Sequence, residues 1–311
     1  PTPRSLETED VSPHSPTGKP LMSNVALRPR ARTLAILGVG LAGALALTGC
    51  SQGSSSTPKS VAAGALPGEH VHGMSRDPGS GKVNLATHEG LFVLQSNGSW
   101  QQVGPKVDLM GFAISGPGTF YASGHPADGV DLPAPVGLIK STDAGRTWTV
   151  MSLGGQSDFH ALTASSTAVT GFDGALRTTS DGKKWSQGGL SVEPSSLAAA
   201  PDGSQVLATT AQGLFRSTDA GATWAPLASA PLLLMTAWAD PKTVVGVTNQ
   251  GDLVVSGDAG SSWKSGAAKL TSAEAICASR DKAGVLEILV ATDKGVVQSR
   301  DDGATVSDLT S

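Results

Sequence analysis

From residue 70 onward the chain is written in short stretches of alternating apolar and polar residues, cut apart by Gly, Asp and Pro. Val83-Asn-Leu-Ala-Thr87 and Phe120-Tyr-Ala-Ser-Gly124 are examples. A side-chain period of two marks a strand with one face in a core. No convincing amphipathic helix accompanies them. The stretches come in fours. The first unit's strands are predicted at residues 70–75, 83–87, 90–95 and 100–103, and the second's at 108–115, 120–124, 137–141 and 148–152. Later units begin at Asp158, at Glu193, near Leu233 and at Glu274.

One turn between these strands recurs. Ser141-Thr-Asp143-Ala-Gly145-Arg-Thr147-Trp148 returns as Ser217-Thr-Asp219-Ala-Gly221-Ala-Thr223-Trp224 and as Ser256-Gly-Asp258-Ala-Gly260-Ser-Ser262-Trp263. A fourth copy, from Ser299 through Asp301 and Gly303, closes on Val306. A fifth, Thr178-Thr-Ser180-Asp-Gly182-Lys-Lys-Trp185, puts Ser180 at the Asp position, and a worn copy ends in Asn97-Gly98-Ser99-Trp100. The closing residues 100, 148, 185, 224, 263 and 306 are 48, 37, 39, 39 and 43 residues apart. A period near 40 residues with one tight turn per unit is the mark of a radial β repeat. The chemistry suits a turn: Asp accepts hydrogen bonds from backbone N–H groups just ahead, and Gly takes a left-handed conformation that a Cβ penalises.

These copies resemble the Asp-box (BNR) repeat, Ser-x-Asp-x-Gly-x-Thr-Trp, found in sialidases, sortilin-type receptors and photosystem assembly factors. Three copies match fully and three partly. The resemblance implies an all-β chain: a six-bladed β-propeller of four-stranded antiparallel blades, with the boxes on its rim and their aromatics between neighbouring sheets. Because the last predicted strand, at residues 304–309, is short, residues 61–66 are expected to pair there and close the ring. The pattern also resembles a bacterial lipoprotein subgroup labelled glycosyl hydrolases. In sialidases of this superfamily the resemblance implies an arginine triad, a Tyr/Glu nucleophile pair and an Asp acid. This chain departs from that set: Tyr121 is its single tyrosine, and no arginine occupies an inward strand position.

Composition adds a location. Residues 1–21 are polar and rich in Pro and Ser, without periodicity, and read as disordered or as an upstream segment outside the true reading frame start. Met22 then precedes Arg28, Arg30 and Arg32, an uncharged run from Leu34 to Leu47, and Leu47-Thr48-Gly49-Cys50. That order is a signal peptide over 22–49, and the run is short of the roughly 20 apolar residues of a spanning helix. Its end resembles the bacterial lipobox, which implies lipid on Cys50, a tether over 50–66, the propeller over 67–311, and an extracytoplasmic position on the bacterial cell membrane. Cys277 is the other cysteine and reads as a buried small hydrophobe. A net charge of −4 without basic clusters excludes nucleic acid as a partner.

In a propeller the first strand of each blade lines the central channel, and alternate side chains face it. Aligning the six first strands gives one layer of His70, Asp108, Asp158, Glu193, Leu233 and Glu274, and a second of His72, Met110, His160, Ser195, Met235 and Ile276. His88 and His125 follow second strands and reach the same mouth. All five histidines of the propeller thus converge from blades one to three, beside a Pro-rich loop running from His125 past Asp128 and Asp131 to Pro135.

Imidazole with thioether suits copper, particularly the reduced ion, and imidazole with carboxylate suits zinc or oxidised copper. The leading expectation is therefore one metal site, copper first and zinc second, formed by His70, His72, His88, His125 and His160 with Met110. The carboxylates would then fix histidine tautomers. An alternative is a glycosidase using two of Asp108, Asp158, Glu193 and Glu274, since two carboxylates suffice for that chemistry. A third reading is a metal-free module that binds protein or glycan at the mouth, although aromatics make up only 4% of the chain and leave no visible anchor cluster. Replacing Cys50 by Ala is expected to release the protein from membranes without unfolding the propeller. Fractionation and mass spectrometry check this, and full membrane retention of unlipidated Cys50→Ala protein would refute the lipobox reading.

Overall fold

The computed structural model describes residues 59–309, all strands, turns and loops without a helix. The upstream segment 1–21, the signal peptide 22–49 and Cys50 lie outside the described residues. Six antiparallel sheets form the blades, each from one continuous stretch of chain in the order inner strand to rim strand. Blade one holds Val71–Arg76, Val83–Thr87, Gly90–Leu94 and Trp100–Val103, within a residue of the sequence-predicted bounds. The inner strands of blades two to six are Val107–Gly116, Ala161–Ala164, Pro194–Ala199, Leu233–Trp238 and Ala273–Arg280. Each inner strand touches those of both neighbours, and the first touches the last, so the ring is closed: a six-bladed β-propeller.

Closure does not use the expected pairing. Ser60 and Val61 pair with Gln101 and Trp100, adding a fifth strand to the rim of blade one rather than to blade six. Blade six already has its fourth strand, Ser307–Asp308. The segment that follows still serves the seam between them, because Val61, Leu66 and Leu309 pack on the core shared by blades six and one. Structured chain thus begins before residue 67.

The core is a ring of six apolar seams, and each seam takes the closing residue of one turn. Trp100 lies between blades six and one, Trp148 between one and two, and Trp185 between two and three. Trp224, Trp263 and Val306 fill the remaining three. Trp185 stacks on Phe159 of its own blade at 5.0 Å between ring centroids. Cys277 belongs to the first of these seams, where burial pushes its thiol up to about 12; it is the small buried hydrophobe expected.

The turns work through two residues. Ser217 Oγ accepts the Gly221 N–H at 2.8 Å and donates to Asp219 Oδ1 at 2.8 Å. Asp219 in turn accepts the Thr223 N–H at 2.8 Å. Residues at the Ala220 position, and not only the glycine after them, take positive φ: Ala144, Ala220, Ala259 and Asp302 lie at 55–60°. In the fifth copy Thr179 and Asp181 play these parts, with Gly182 N–H on Thr179 Oγ1 at 2.9 Å, so Asp181 and not Ser180 is the acidic member. At Asp143 burial pushes the carboxyl up, but hydrogen bonds from Thr147, Ser141 and Arg146 outweigh it and hold it at about 2. Its stabilising effect is present above 3.8, the unfolded value, and is lost as pH falls through about 2.

Ser217 is 1% exposed, and removing its hydroxyl strands a buried N–H. Ser217→Ala is expected to cost about 1–3 kcal/mol. Trp100→Ala, which opens a seam, is expected to cost about 3–5 kcal/mol. Urea unfolding measures both. Neither change should alter ligand uptake at the mouth.

Candidate metal centre at the channel mouth

The inner strands share an irregularity that shapes the mouth. Their pairing with the second strands shifts register between Val71 and Gly73, Leu109 and Gly111, Pro194 and Ser196, Leu233 and Met235, and Ala273 and Ala275. Each shift leaves one residue unpaired, a β-bulge that re-aims a side chain. The unpaired residues are His72, Met110, Ser195, Leu234 and Glu274, and His160 holds the same place in blade three. They line a central cavity of about 910 Å³. The inner strands come so close here that a Cβ on Gly111 would sit 2.4 Å from the Phe159 carbonyl oxygen. Glycine after the bulge residue is therefore a packing requirement in blade two.

The bulges correct two entries in the sequence alignment of the layers. Leu233 does not line the channel and is a core residue at 4% exposure, whereas Ile276 lines the cavity and also packs in the core at 8%. Leu234 and Glu274 stand in the His72 layer instead. A bulge breaks strict alternation, so counting by twos across it loses one residue. The placements of His70, Asp108, Asp158 and Glu193 in one layer, and of His72, Met110, His160 and Ser195 in the next, agree with the pairing registers. Met235 also lines the cavity.

At the junction of blades one and two, His72 Nε2 lies 3.1 Å from His88 Nε2, with the rings edge to face at 4.3 Å. His88 Nδ1 lies 2.9 Å from Asp108 Oδ1. A carboxylate accepts, so the Nδ1–H of His88 donates to Asp108 and leaves Nε2 as the unprotonated nitrogen, while His72 Nε2 lies against the His88 ring, 3.3 Å from its Nδ1 as well. These three residues bring their donor atoms within 4.8 Å of one another, the one such His/Cys/Asp/Glu group among the described residues. His72 is held below its ordinary 6.5 by burial first and by the adjacent His88 imidazole second, against the opposing pull of Asp108. It is therefore neutral, the form that binds metal.

His70 stands beside this group, with its ring 5.9 Å from that of His88 and its Nδ1 3.7 Å from Glu274 Oε1. Glu274 is also structural: its Oε2 accepts the Val71 N–H at 2.9 Å, a bond across the seam that closes the ring. His125 and His160 do not join His72. They gather on Asp158, at 2.9 and 3.6 Å from its Oδ2. The predicted ligands thus form two clusters one blade apart, and Met110 lines the channel at the His72 register of blade two. Of the four carboxylates of the hydrolase reading, Asp108, Asp158 and Glu274 are engaged by histidine or backbone, and Glu193 is exposed at a side cavity of about 670 Å³.

One recurring device escaped the sequence reading. Thr87, Thr210 and Thr292 each close the hairpin between second and third strands, donating to the carbonyl oxygens of Gly90, Gly213 and Gly295 at 2.9–3.0 Å. The spacing Thr-x-x-Gly could have located these hairpins, and it fixes the backbone that carries His88.

No family model matches the chain, and no curated protein does. Solved structures share the fold. A GH74 enzyme from Niastella koreensis superposes with a TM-score of 0.52 at 14% identity over 80% of this chain, which spans only 54% of that enzyme. XC5397 of Xanthomonas campestris, described as a gluconolactonase, gives 0.56 at 10% identity, covering 74% of this chain and 86% of that one. YCF48 from Cyanidioschyzon merolae gives 0.50 at 12% identity, covering 78% and 97%. At these identities the likeness is one of fold.

The depressed His72 has a consequence for stability. The unfolded chain takes up this proton near 6.5 and the folded protein only at lower pH. Stability is therefore full above 6.5 and falls as pH drops below it. Melting temperatures between pH 7.5 and 5 are expected to decline, and His72→Gln should flatten that decline.

Proposed function

We propose that this protein is a lipid-anchored extracytoplasmic propeller that binds a divalent transition-metal ion at its channel mouth. His72 and His88 supply the imidazole nitrogens, and Asp108 holds the His88 tautomer. The single observation that carries the reading is the chain His72 Nε2, His88 Nε2, His88 Nδ1, Asp108 Oδ1, with successive gaps of 3.1 Å between rings and 2.9 Å to the carboxylate. The two Nε2 atoms are close enough for one ion at about 2.0–2.1 Å from each once the His88 ring turns its Nε2 lone pair toward His72, which now lies against that ring. The donor set of imidazole and carboxylate favours oxidised copper, with zinc second, since copper(II) heads the affinity order for such ligands. His70 and Glu274 border the same site and tune its charge.

The anchor rests on the basic, apolar and Cys50 order of residues 22–50. We read the rim turns as Asp-box repeats, and on that reading the chain belongs with the lipoproteins that carry them. The same superfamily supports hydrolases, but here the mouth carboxylates are already committed to imidazoles and a backbone N–H, which favours binding over hydrolysis.

Titration of the full chain carrying Cys50→Ala with copper(II) or zinc is the test. His72→Ala and His88→Ala are each expected to lose one tightly held equivalent, and Asp108→Asn to weaken that equivalent by about 10–100-fold. Affinity should also weaken as pH falls through the histidine range near 6.5. Equal uptake by wild-type and His72→Ala protein would end the proposal.

A further inference from the structure

We infer that the channel behind the mouth binds a small amphipathic cation, a molecule with a linear apolar body and an ammonium-type head. The body lies in the channel beside blade five, and the head stays among the carboxylates of the mouth. The inference uses no metal ligand and holds whether or not His72 and His88 take an ion.

The mouth is chemically divided. Its histidines and their aspartates come from blades one to three, whereas blade five presents Leu232 and Leu234. These are the most exposed large apolar side chains among the described residues, at 42% and 44%. Leu234 is held there by the fold. It is the bulge residue of its strand, and its carbonyl oxygen accepts the Thr209 Oγ1–H of blade four at 3.0 Å. A leucine left half in water forgoes burial that an apolar ligand restores.

From Leu234 the apolar lining runs inward. Two residues past the bulge, the six blades place Met74, Phe112, Leu162, Leu197, Thr236 and Ile276 along the channel, all buried. Five of the six are apolar. The residues that follow them are small, from Ser75 and Ala113 round to Cys277, and keep the bore open. A strand rises about 3.3 Å per residue, so the stretch from Leu234 to Trp238 makes this bore about 13 Å deep. Its volume of about 910 Å³ is that of a small-molecule site, mostly apolar with a few polar groups at the entrance.

Charge decides the head group. At the far end Arg76 is paired with Glu287, and Arg280 with Asp240. On the mouth face Lys59 and Lys106 are already paired with Glu89, and Lys269 with Asp252. Glu69, Asp128, Asp131 and Glu193 are exposed on that face and carry no ion pair among the described residues. Glu193 stands two residues before Ser195, which holds the Leu234 place in blade four. Glu274, the bulge residue of blade six, borders Leu234 from the other side. This ring repels an anionic head and draws a cationic one.

Calorimetric titration of the metal-free full chain carrying Cys50→Ala, at pH 8 and below micelle formation, tests this with three probes. They are decyltrimethylammonium, decanoate with the opposite charge, and tetramethylammonium without the body. One saturable equivalent of decyltrimethylammonium is expected, with the other two bound at least ~10-fold more weakly. Leu234→Ser should weaken the first probe by about 10-fold, and the exposure of that side chain leaves the fold intact. Glu193→Gln should weaken it by about 2–5-fold and flatten its dependence on salt. Decanoate or tetramethylammonium bound as tightly as the decyl cation, no saturable uptake of that cation, or unchanged affinity in Leu234→Ser would each overturn the inference.

Discussion

Ring closure is the constraint on which everything else depends. Six sheets must wedge together so that the inner strand of the last touches that of the first. Flat sheets splayed about an axis leave gaps that widen toward the rim, and a buried gap forfeits its contacts. The rim is therefore where bulk is needed, and there the repeated turn delivers one large residue to every seam. Trp100 is the extreme case, at 2% exposure between first and last blades. Val306 fills its seam with less volume, and Leu270, Ile276 and Ile288 pack around it. The turn itself is stiff because Ser and Asp side chains take up its backbone N–H groups, so the aromatic enters at a fixed angle.

At the hub the constraint is opposite. Strands converge, space is short, and side chains must leave the plane of the sheet. Bulges at matching positions turn His72, Met110, Ser195, Leu234 and Glu274 out of the crowded ladder and into the channel. The same geometry brings the residue that ends one blade's second strand against the residue that starts the next blade. A histidine in the first position and an aspartate in the second meet as a matter of topology, and the chain does this twice, at His88 with Asp108 and at His125 with Asp158. The other half of the mouth, with Ser195, Leu232 and Leu234, carries no such pair.

Much of this was legible in the sequence. Strand alternation located the start of every blade to within three residues, and the closing Trp residues fell in the seams because turn chemistry is local. Convergence of the histidines on one mouth follows from strand order alone. What escaped depended on irregularity or on distant partners. The bulge put Leu233 in the core and Glu274 in the His72 layer, since period-two counting has no means of seeing an extra residue. Ser60–Val61 joined blade one because Trp100–Val103 offered a free edge, a partner some 40 residues away by subtraction. The division of the histidines into two groups turns on Asp108 and Asp158, which sequence alone left open as ligands, second partners or acids.

That division bears on chemistry more than the shared fold does. A six-bladed ring hosts unrelated activities, so the superposed enzymes speak for the scaffold. The mouth speaks through where its protons sit. Asp108, as a carboxylate accepting a hydrogen bond from His88 Nδ1–H, has no proton to give as a general acid, and Glu274 Oε2 already holds the Val71 N–H. Using either for hydrolysis would release an imidazole or open the seam between the first and last blades. Using them to orient imidazoles costs the fold nothing. Those same bonds fix where the histidines of the mouth stand.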